Sequence, residues 1–156
     1  MPAKPAFEVR HSDTAGHGVF ATRAIKAGEF VLQLTGEKLP SAQVGPQHFA
    51  VKVDQDLWLC SLGGRTDDYL NHHCRPNLGF TRGNVRLYAL RDIAAGQELS
   101  FDYATAMFEV NGWHFTCACR ARHCRKRVGG FETLSPAQKR RLHDRCLAYI
   151  KRANKA

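Results

Sequence analysis

Two seven-residue stretches decide how this chain folds, Asn71-His72-His73-Cys74-Arg75-Pro76-Asn77 and Glu98-Leu99-Ser100-Phe101-Asp102-Tyr103-Ala104. A third stretch follows them, Cys117-Ala118-Cys119 with Cys124 five positions later. Each of the three has an ordinary structural explanation when it is taken alone. Their order, spacing and residue types indicate a specific fold only when the three stretches are considered together.

The three stretches together resemble the SET-domain protein lysine methyltransferases that carry a C-terminal, cysteine-rich post-SET segment. The resemblance runs from about Phe7 to the end of the chain. It implies a mainly β SET-domain fold of short strands, in which the first two stretches meet in a knot-like crossing, followed by a zinc-binding segment and a helix. The expected division is a SET domain at 7–106 and the post-SET zinc segment with the helix at 107–156, as one compact unit.

The composition is ordinary for a globular protein. A chain of 156 residues, 44% of them hydrophobic and 24% charged, suffices for one core but leaves no room for a second independent domain. No apolar run approaches the ~20 residues that cross a bilayer, so no membrane partner is expected. The first residues lack the apolar stretch of a secretory signal. The six cysteines are therefore expected in a reducing compartment, either cytoplasmic or nuclear or nucleoid-associated.

Short strands separated by glycines are predicted up to about residue 103. The candidate strands are rich in Val, Phe, Leu or Tyr, and the glycines between them supply the positive φ values of tight turns. The predicted strands span 18–23, 29–35, 48–53, 57–60, 85–90 and 98–103. The sequence therefore predicts a β-rich layout.

A C-terminal helix is predicted from its capping signals. Ser135 can cap it, Pro136 suits its first position and Gln138 completes a capping box. The residues that then fall on one face at helical spacing are Leu142, Cys146, Tyr149 and Ile150. A second, shorter helix is weakly indicated at 41–47.

The closely spaced thiols of Cys117, Cys119 and Cys124 favour a metal site, with zinc as the default ion. A structural zinc takes four ligands, and the local sequence leaves the fourth open. The candidates are Cys60, Cys74, Cys146, His114 and His123. The resemblance implies that Cys74 completes the set, so that the metal fastens the post-SET segment onto the active site. Cys60 and Cys146 lie on apolar faces and are expected to be core residues.

The turn Gly16-His17-Gly18 precedes a predicted strand, and by itself it would be an ordinary turn. The resemblance implies that its backbone approaches S-adenosylmethionine closely. It also implies that Asn71 and His72 hold this cofactor through main-chain and side-chain hydrogen bonds.

The resemblance implies that Tyr103 borders the cofactor and is the main catalytic residue. Methyl transfer needs a neutral lysine amine, whereas free lysine has a pKa of about 10.4. An apolar channel beside a sulfonium favours loss of that proton, and the remaining task is positioning. The resemblance also implies that Phe101 sets the number of methyl groups added. A phenylalanine at this place, rather than a tyrosine, predicts di- or trimethylation.

Two features depart from the family pattern. Asp68-Tyr69-Leu70 stands where the family often has Arg-Phe-Ile, and His73 replaces a common serine. Acidic side chains then lie near the expected cleft, where they either attract a basic peptide or form a solvated loop. These residues are Asp54, Asp56, Asp67 and Asp68.

The net charge of +9 and the pI near 9.6 favour a polyanionic neighbour. The basic residues concentrate around the cysteine cluster and in the C-terminal region, where they form either a solubilising surface or a nucleic-acid docking site. They are Arg120, Arg122, Arg125, Lys126, Arg127, Lys139, Arg140, Arg141, Arg145, Lys151, Arg152 and Lys155.

The predicted function is S-adenosylmethionine-dependent N-methylation of a lysine in a basic protein, such as a histone, a histone-like protein or a ribosomal protein. The alternative is a zinc-stabilised nucleic-acid or chromatin binding module with a degenerate methylation site. Methylation of small molecules is disfavoured, because the glycine-rich nucleotide turn between a strand and a helix is missing.

Overall fold

The computed structural model describes residues 5–154, which fold into short strands, 3₁₀ turns and two short helices. The first strands are β1 (Phe7–His11), β2 (His17–Ala21), β3 (Phe30–Gln33), β4 (Glu37–Leu39), β5 (Phe49–Asp54) and β6 (Leu57–Ser61). The later ones are β7 (Asn71–His72), β8 (Leu78–Gly79), β9 (Arg86–Ala89), β10 (Glu98–Phe101), β11 (His114–Thr116) and β12 (Arg127–Gly129). Neither helix of the described chain has the length and apolar character that a membrane crossing requires.

The strands form four small sheets, and one of them joins the two decisive stretches. The sheet orders are β1-β2-β10-β7, β3-β9-β8, β4-β6-β5 and the hairpin β11-β12. β7 and β10 run parallel, with Asn71 opposite Ser100 and His72 opposite Phe101. Asn77 strengthens this join, because its amide donates to Glu98 O at 2.8 Å and accepts from Ser100 N at 2.9 Å.

A single large core fills the space between the sheets. It contains fully buried side chains from several of them, including Val19, Phe80, Leu87 and Leu99. A smaller cluster, centred on Val128, surrounds the cysteines. The prediction of a β-rich fold is confirmed, and all six predicted strands begin and end within two residues of the observed bounds.

The sixth predicted strand, 98–103, stops earlier than expected. β10 ends at Phe101, and Tyr103 begins the 3₁₀ turn Tyr103–Thr105, which Asp102 caps by accepting from Ala104 N. The closeness of Phe101 and Tyr103 therefore does not come from the two-residue period of a strand. It comes from the turn that follows the strand.

The predicted C-terminal helix begins as expected, with Ser135 and Gln138 forming the capping box. The prediction of one continuous helix was wrong, because this part of the chain divides into α1 (Pro136–Leu142), a 3₁₀ turn and α2 (Ala148–Ala153). The break lies at Cys146, whose backbone is extended. There Leu147 N donates to Thr105 O at 3.0 Å and Ala148 N to Gly83 O at 2.8 Å, so tertiary bonds replace helical ones. At 41–47 only the 3₁₀ turn Ser41–Gln43 forms.

Candidate active site and metal centre

Two cavities border the paired strands β7 and β10. The first encloses about 220 Å³ and is largely apolar, with Leu70, Phe101 and Tyr103 in its wall. The second encloses about 260 Å³ and is polar, with Asn71 and Ser100 in its wall. Successive residues of a strand point to opposite faces, so the β7–β10 segment supplies side chains to both cavities.

Tyr103 lies in the wall of the apolar cavity, with its hydroxyl hydrogen-bonded inside the protein. Its Oη donates to Leu70 O at 2.5 Å. Burial raises the pKa of Tyr103 well above its ordinary value, so the phenol keeps its proton. Because the only hydroxyl proton is given to Leu70, the lone pairs of the phenol oxygen remain able to accept.

Aromatic rings surround Tyr103. The ring centroids of Phe101, Phe115 and Trp113 lie 4.9, 5.8 and 6.4 Å from that of Tyr103. Phe101 is buried, and its other neighbour is Phe80 at 5.4 Å. The wall around Tyr103 is therefore rigid and offers few polar groups.

The acidic rim predicted near the cleft is only half correct. Asp67 and Asp68 do line the apolar cavity. Asp54 and Asp56 are not part of its lining: Asp54 lies 3.4 Å from Arg152, and Asp56 accepts from Ser41 N at 2.9 Å. Among the described residues, neither Asp67 nor Asp68 has an ion-pair partner, and both accept hydrogen bonds from neighbouring residues, Asp67 from Thr35 and Asp68 from Ser61.

Asn71 connects the polar cavity to the N-terminal turn. Its Nδ2 donates to Ala15 O at 3.1 Å, to His17 O at 2.9 Å and to Glu98 Oε1 at 2.8 Å. Glu98 also accepts from Ser12 Oγ at 2.9 Å. Glu98 belongs to the second stretch, but the sequence predicted no role for it. In the structure it is a centre of this network.

The turn with Gly16, His17 and Gly18 borders this network. These three residues are not part of the lining of the polar cavity, which includes the nearby Thr14 instead. Gly16 adopts a positive φ of 48°. A Cβ on Gly18 would come within 2.3 Å of Glu98 Oε1, so only glycine allows this approach.

His72 is buried and joins the polar cavity to the cysteines. Its Nδ1 accepts from Tyr103 N at 3.1 Å, and its Nε2 lies 3.3 Å from Cys74 Sγ. Burial lowers the pKa of His72 to about 4, although the carboxylate of Asp102 at 3.6 Å favours the protonated ring. The neutral ring with Nδ1 as acceptor carries its proton on Nε2, which then donates to the sulfur.

The structure brings four sulfurs together, those of Cys74, Cys117, Cys119 and Cys124. All four lie within 4.8 Å of one another, and Cys74 Sγ is 3.9 Å from Cys117 Sγ. Four thiolates at about 2.3 Å from one zinc ion would be about 3.8 Å apart, which matches this spacing. The donor set therefore fits a tetrahedral zinc. Of the five candidates for the fourth position, this cluster contains only Cys74.

Backbone amides converge on these sulfurs. Arg125 N lies 3.4 Å from Cys74 Sγ, and Lys126 N lies 3.4 Å from Cys124 Sγ. Lys126 and Arg120 adopt positive φ values of 63° and 60°, which turn the chain around the cluster. Such amides stabilise thiolates and orient them toward a metal.

Arg125 was expected in a basic surface patch, and this expectation was wrong. Its side chain is only 8% exposed and forms a bidentate ion pair with the buried carboxylate of Asp102, at 2.6 and 2.8 Å. Burial opposes the charge, but the hydrogen bond and charge of Asp102 outweigh it, so the pKa of Arg125 is raised. The one sequence signal for this ion pair was Asp102, an acidic residue in the second stretch for which the sequence predicted no partner.

The family model described as "SET domain" matches residues 16–104 of this chain. The chain belongs to the SET domain family. The match covers more than half of the chain and includes both decisive stretches.

Known SET proteins are similar to the chain in sequence and in structure. It is 28% identical over 137 residues to histone-lysine N-methyltransferase trithorax of Drosophila virilis, covering 76% of the chain and 3% of that protein. It is 27% identical over 136 residues to histone-lysine N-methyltransferase ASHH3 of Arabidopsis thaliana, covering 76% and 37%. The SET domain described here therefore spans a minor part of each relative's length.

A solved SET structure superposes on the same region. The crystal structure of KRYPTONITE in complex with mCHH DNA, H3(1-15) peptide and SAH has a TM-score of 0.64 and 28% identity, covering 79% of this chain and 29% of that one. The SET fold predicted from the sequence is thereby confirmed.

Proposed function

We propose that this SET domain transfers a methyl group from S-adenosylmethionine to the ε-amine of a lysine in a protein substrate. The observation that carries this proposal is the pair of cavities at β7–β10. The apolar one has Tyr103 in its wall, and the polar one has Asn71 and His72. A lysine side chain entering from one side and a donor bound on the other side would meet at this segment.

The polar cavity suits S-adenosylmethionine, which when bound supplies an electrophilic methyl group on a sulfonium. The cavity combines an amide, an imidazole, a carboxylate and guanidinium groups, and these match a zwitterionic nucleoside. Asn71, His72 and the turn of Gly16, His17 and Gly18 are the residues proposed to hold it. The presence of SAH in the KRYPTONITE complex supports this assignment.

The apolar cavity is proposed to receive the lysine and to favour its neutral form. Leu70, Phe101 and Trp113 in its wall offer little solvation to an ammonium, so burial among them lowers the pKa of the amine, whereas Asp67 and Asp68 in the same lining attract its charged form. Tyr103 Oη, whose proton goes to Leu70 O, can accept a hydrogen bond from the amine and align it. Alignment at near-attack distance is then the main contribution of the protein.

Di- or trimethylation is the proposed outcome. Phe101 brings no hydroxyl to the cavity, and its neighbours Phe80 and Tyr103 hold its ring in place. The side chain at this position therefore has no polar group that would take the space of added methyl groups or form a hydrogen bond with the amine.

The proposed substrate is a basic protein such as a histone, a histone-like protein or a ribosomal protein. Asp67 and Asp68 place unpaired negative charge at the cavity of a protein whose net charge is +9, which favours a cationic peptide there. The H3 peptide in the KRYPTONITE complex and the histone-lysine N-methyltransferases among the relatives support this class and a chromatin-associated setting.

Zinc is the proposed occupant of the four-cysteine cluster, with a structural role. With the SET domain assigned to 7–106 and the post-SET segment to 107–156, the metal would fasten the second part to Cys74 of the first. Metal binding and ordering of such a segment are one equilibrium.

Methyl incorporation tests the enzyme directly. The purified protein is incubated with S-adenosylmethionine carrying a labelled methyl group and with core histones or ribosomal proteins, and modified lysines are mapped by mass spectrometry. Label on lysine with the unaltered protein, and its loss with Tyr103→Phe, supports the proposal. No incorporation into any of these substrates or into native extract, while nucleic acid is still bound, would favour the binding-module alternative.

A further inference from the structure

The sheet β3-β9-β8 presents an aromatic row on one surface. Phe30 is opposite Tyr88, and Tyr88 is opposite Gly79, so the three positions lie side by side on one face. The ring of Phe30 is 44% exposed and lies 5.8 Å from that of Tyr88. At Gly79, a Cβ would be 3.0 Å from Leu90 Cδ2 and 3.3 Å from Arg145 Cβ, so these two side chains pack against the glycine.

Two arginines stack on this row. The guanidinium of Arg86 lies 5.3 Å from the ring centroid of Phe30, and that of Arg82 lies 4.8 Å from the ring centroid of Tyr88. Cation–π contacts restrict the orientation of both guanidinium groups. Arg86 Nε donates to Gln33 Oε1 at 3.3 Å, and the terminal N–H groups of Arg86 can still donate to another acceptor.

Two further arginines extend the charge toward the polar cavity. Arg91 donates to Pro76 O at 2.5 Å and to Arg75 O at 3.3 Å, which places it beside Arg75. Partial burial, followed by the charges of Arg75 and Arg145, lowers the pKa of Arg91. The charges of Arg75 and Arg145 therefore both act on Arg91.

This positive charge is not neutralised within the described part of the chain. No ion pair involves any of the five arginines, Arg75, Arg82, Arg86, Arg91 and Arg145. Their acidic chain neighbours are engaged elsewhere. Glu29 pairs with Arg23, Asp92 with Lys26 and Asp144 with His143. A polyanion would relieve the mutual repulsion.

We propose that this surface, the arginine face, binds the phosphate backbone of a single-stranded nucleic acid. The arginine face consists of Arg82 and Arg86, which stack on Tyr88 and Phe30, and of Arg145, Arg91 and Arg75, which continue the positive charge from Gly79 to the polar cavity. Single strands are bound by positive grooves combined with aromatic side chains on which bases stack, and Phe30 offers the exposed ring. Arg75 and Arg91 also line the polar cavity, whereas Arg82, Arg86 and Phe30 line neither cavity, so binding at these three residues does not depend on methyl transfer.

Salt-dependent binding of a fluorescein-labelled oligothymidylate, followed by fluorescence anisotropy, tests the charge. Arg82→Gln with Arg86→Gln is compared with Arg140→Gln and Arg141→Gln on α1, because both pairs are exposed and lower the net charge equally. The first pair is expected to flatten the log–log salt slope by about 1.4, since each phosphate contact to a single strand contributes about 0.7. The second pair is expected to leave the slope unchanged.

An equal flattening of the salt slope by both pairs of substitutions would overturn the proposal, because it would indicate unspecific attraction. Failure of the unaltered protein to bind the oligothymidylate would overturn it as well. Arg82→Lys with Arg86→Lys keeps the charge and is expected to retain the slope, and thermal melting confirms that each variant is folded. Phe30→Ala is expected to weaken single-strand binding about fivefold or more while leaving duplex binding unchanged. Phe49→Ala, on another exposed phenylalanine, is the matched control, and equal loss for both would exclude stacking at Phe30.

Discussion

Arg125 and Asp102 form a buried bidentate ion pair that joins the cysteine cluster to the 3₁₀ turn of Tyr103. Arg125 follows Cys124 directly, and Asp102 precedes Tyr103 and caps its 3₁₀ turn. The two guanidinium nitrogens lie 2.6 and 2.8 Å from the carboxylate oxygens. Order in the metal segment and order at Tyr103 are therefore linked by one interaction.

Breaking this pair is expected to destabilise the whole protein. Arg125→Met removes the cation and leaves the carboxylate of Asp102 buried without its partner, which typically costs about 3–5 kcal/mol. Urea unfolding measures the change in the free energy of unfolding. Arg152→Gln is the control, because its pair with Asp54 is more than half exposed and is worth less than about 1 kcal/mol. Equal losses in the two variants would contradict the linking role of Arg125.

Thiol titration is expected to divide the six cysteines into two groups. With zinc bound, Ellman's reagent should modify few of them; after a chelator removes the metal, the four cluster thiols should react. Cys60 and Cys146 are buried, and burial raises the pKa of Cys146 to about 12, so both should react only after unfolding.

Elemental analysis provides the matching measurement. Cys74→Ser is expected to lower the zinc content, which should be one ion per chain in the unaltered protein, whereas Cys60→Ala is expected to leave it unchanged. Full zinc occupancy in Cys74→Ser would place the fourth ligand elsewhere.

Tyr103→Phe is expected to separate catalysis from cofactor binding. The variant loses the hydroxyl that bonds to Leu70 O, while Asn71 and the N-terminal turn keep their contacts. Loss of positioning at the reacting amine is expected to lower kcat about a hundredfold. Isothermal titration with S-adenosylhomocysteine is expected to give an unchanged dissociation constant. An unchanged kcat would remove the hydroxyl from the mechanism.

The sequence predicted the residues of the site better than their connections. Cys117, Cys119 and Cys124 were predicted as metal ligands from their spacing and Cys74 from the family resemblance, and the four sulfurs do come together. The bonds of Arg125 to Asp102 join segments that are far apart in the chain, and no local pattern encodes such a bond. The helix break at Cys146 escaped prediction for the same reason, since distant carbonyls cause it.

Lys52 is a buried lysine that supports the wall of the apolar cavity. Its Nζ donates to Phe108 O at 2.8 Å and to Glu109 O at 3.3 Å, next to Met107 in the cavity wall. Lys52→Met leaves these carbonyls without the donor, at a cost of about 1–3 kcal/mol. The KM for a peptide substrate is expected to rise more than kcat falls, because the wall moves while Tyr103 keeps its bonds. A fall in kcat alone would contradict this.

Phe101→Tyr is expected to change the product rather than abolish the reaction. Phe101 lines the apolar cavity 4.9 Å from the ring of Tyr103, so a hydroxyl added to its ring would have to lie in or beside the space that receives the amine. There the added hydroxyl would occupy volume and accept a hydrogen bond from the amine. This hydrogen bond would hold a partly methylated lysine in an unproductive orientation.

The number of methyl groups on a substrate peptide, measured by mass spectrometry over time, checks this. The unaltered protein is expected to accumulate di- or trimethyl-lysine, and Phe101→Tyr to stop at monomethyl-lysine with a similar initial rate. Phe115→Tyr is the matched control, because its ring also contacts Tyr103 but does not line the apolar cavity. Of these two phenylalanines, Phe101 alone lines the apolar cavity. Identical products from both variants and the unaltered protein would therefore show that another side chain sets the limit.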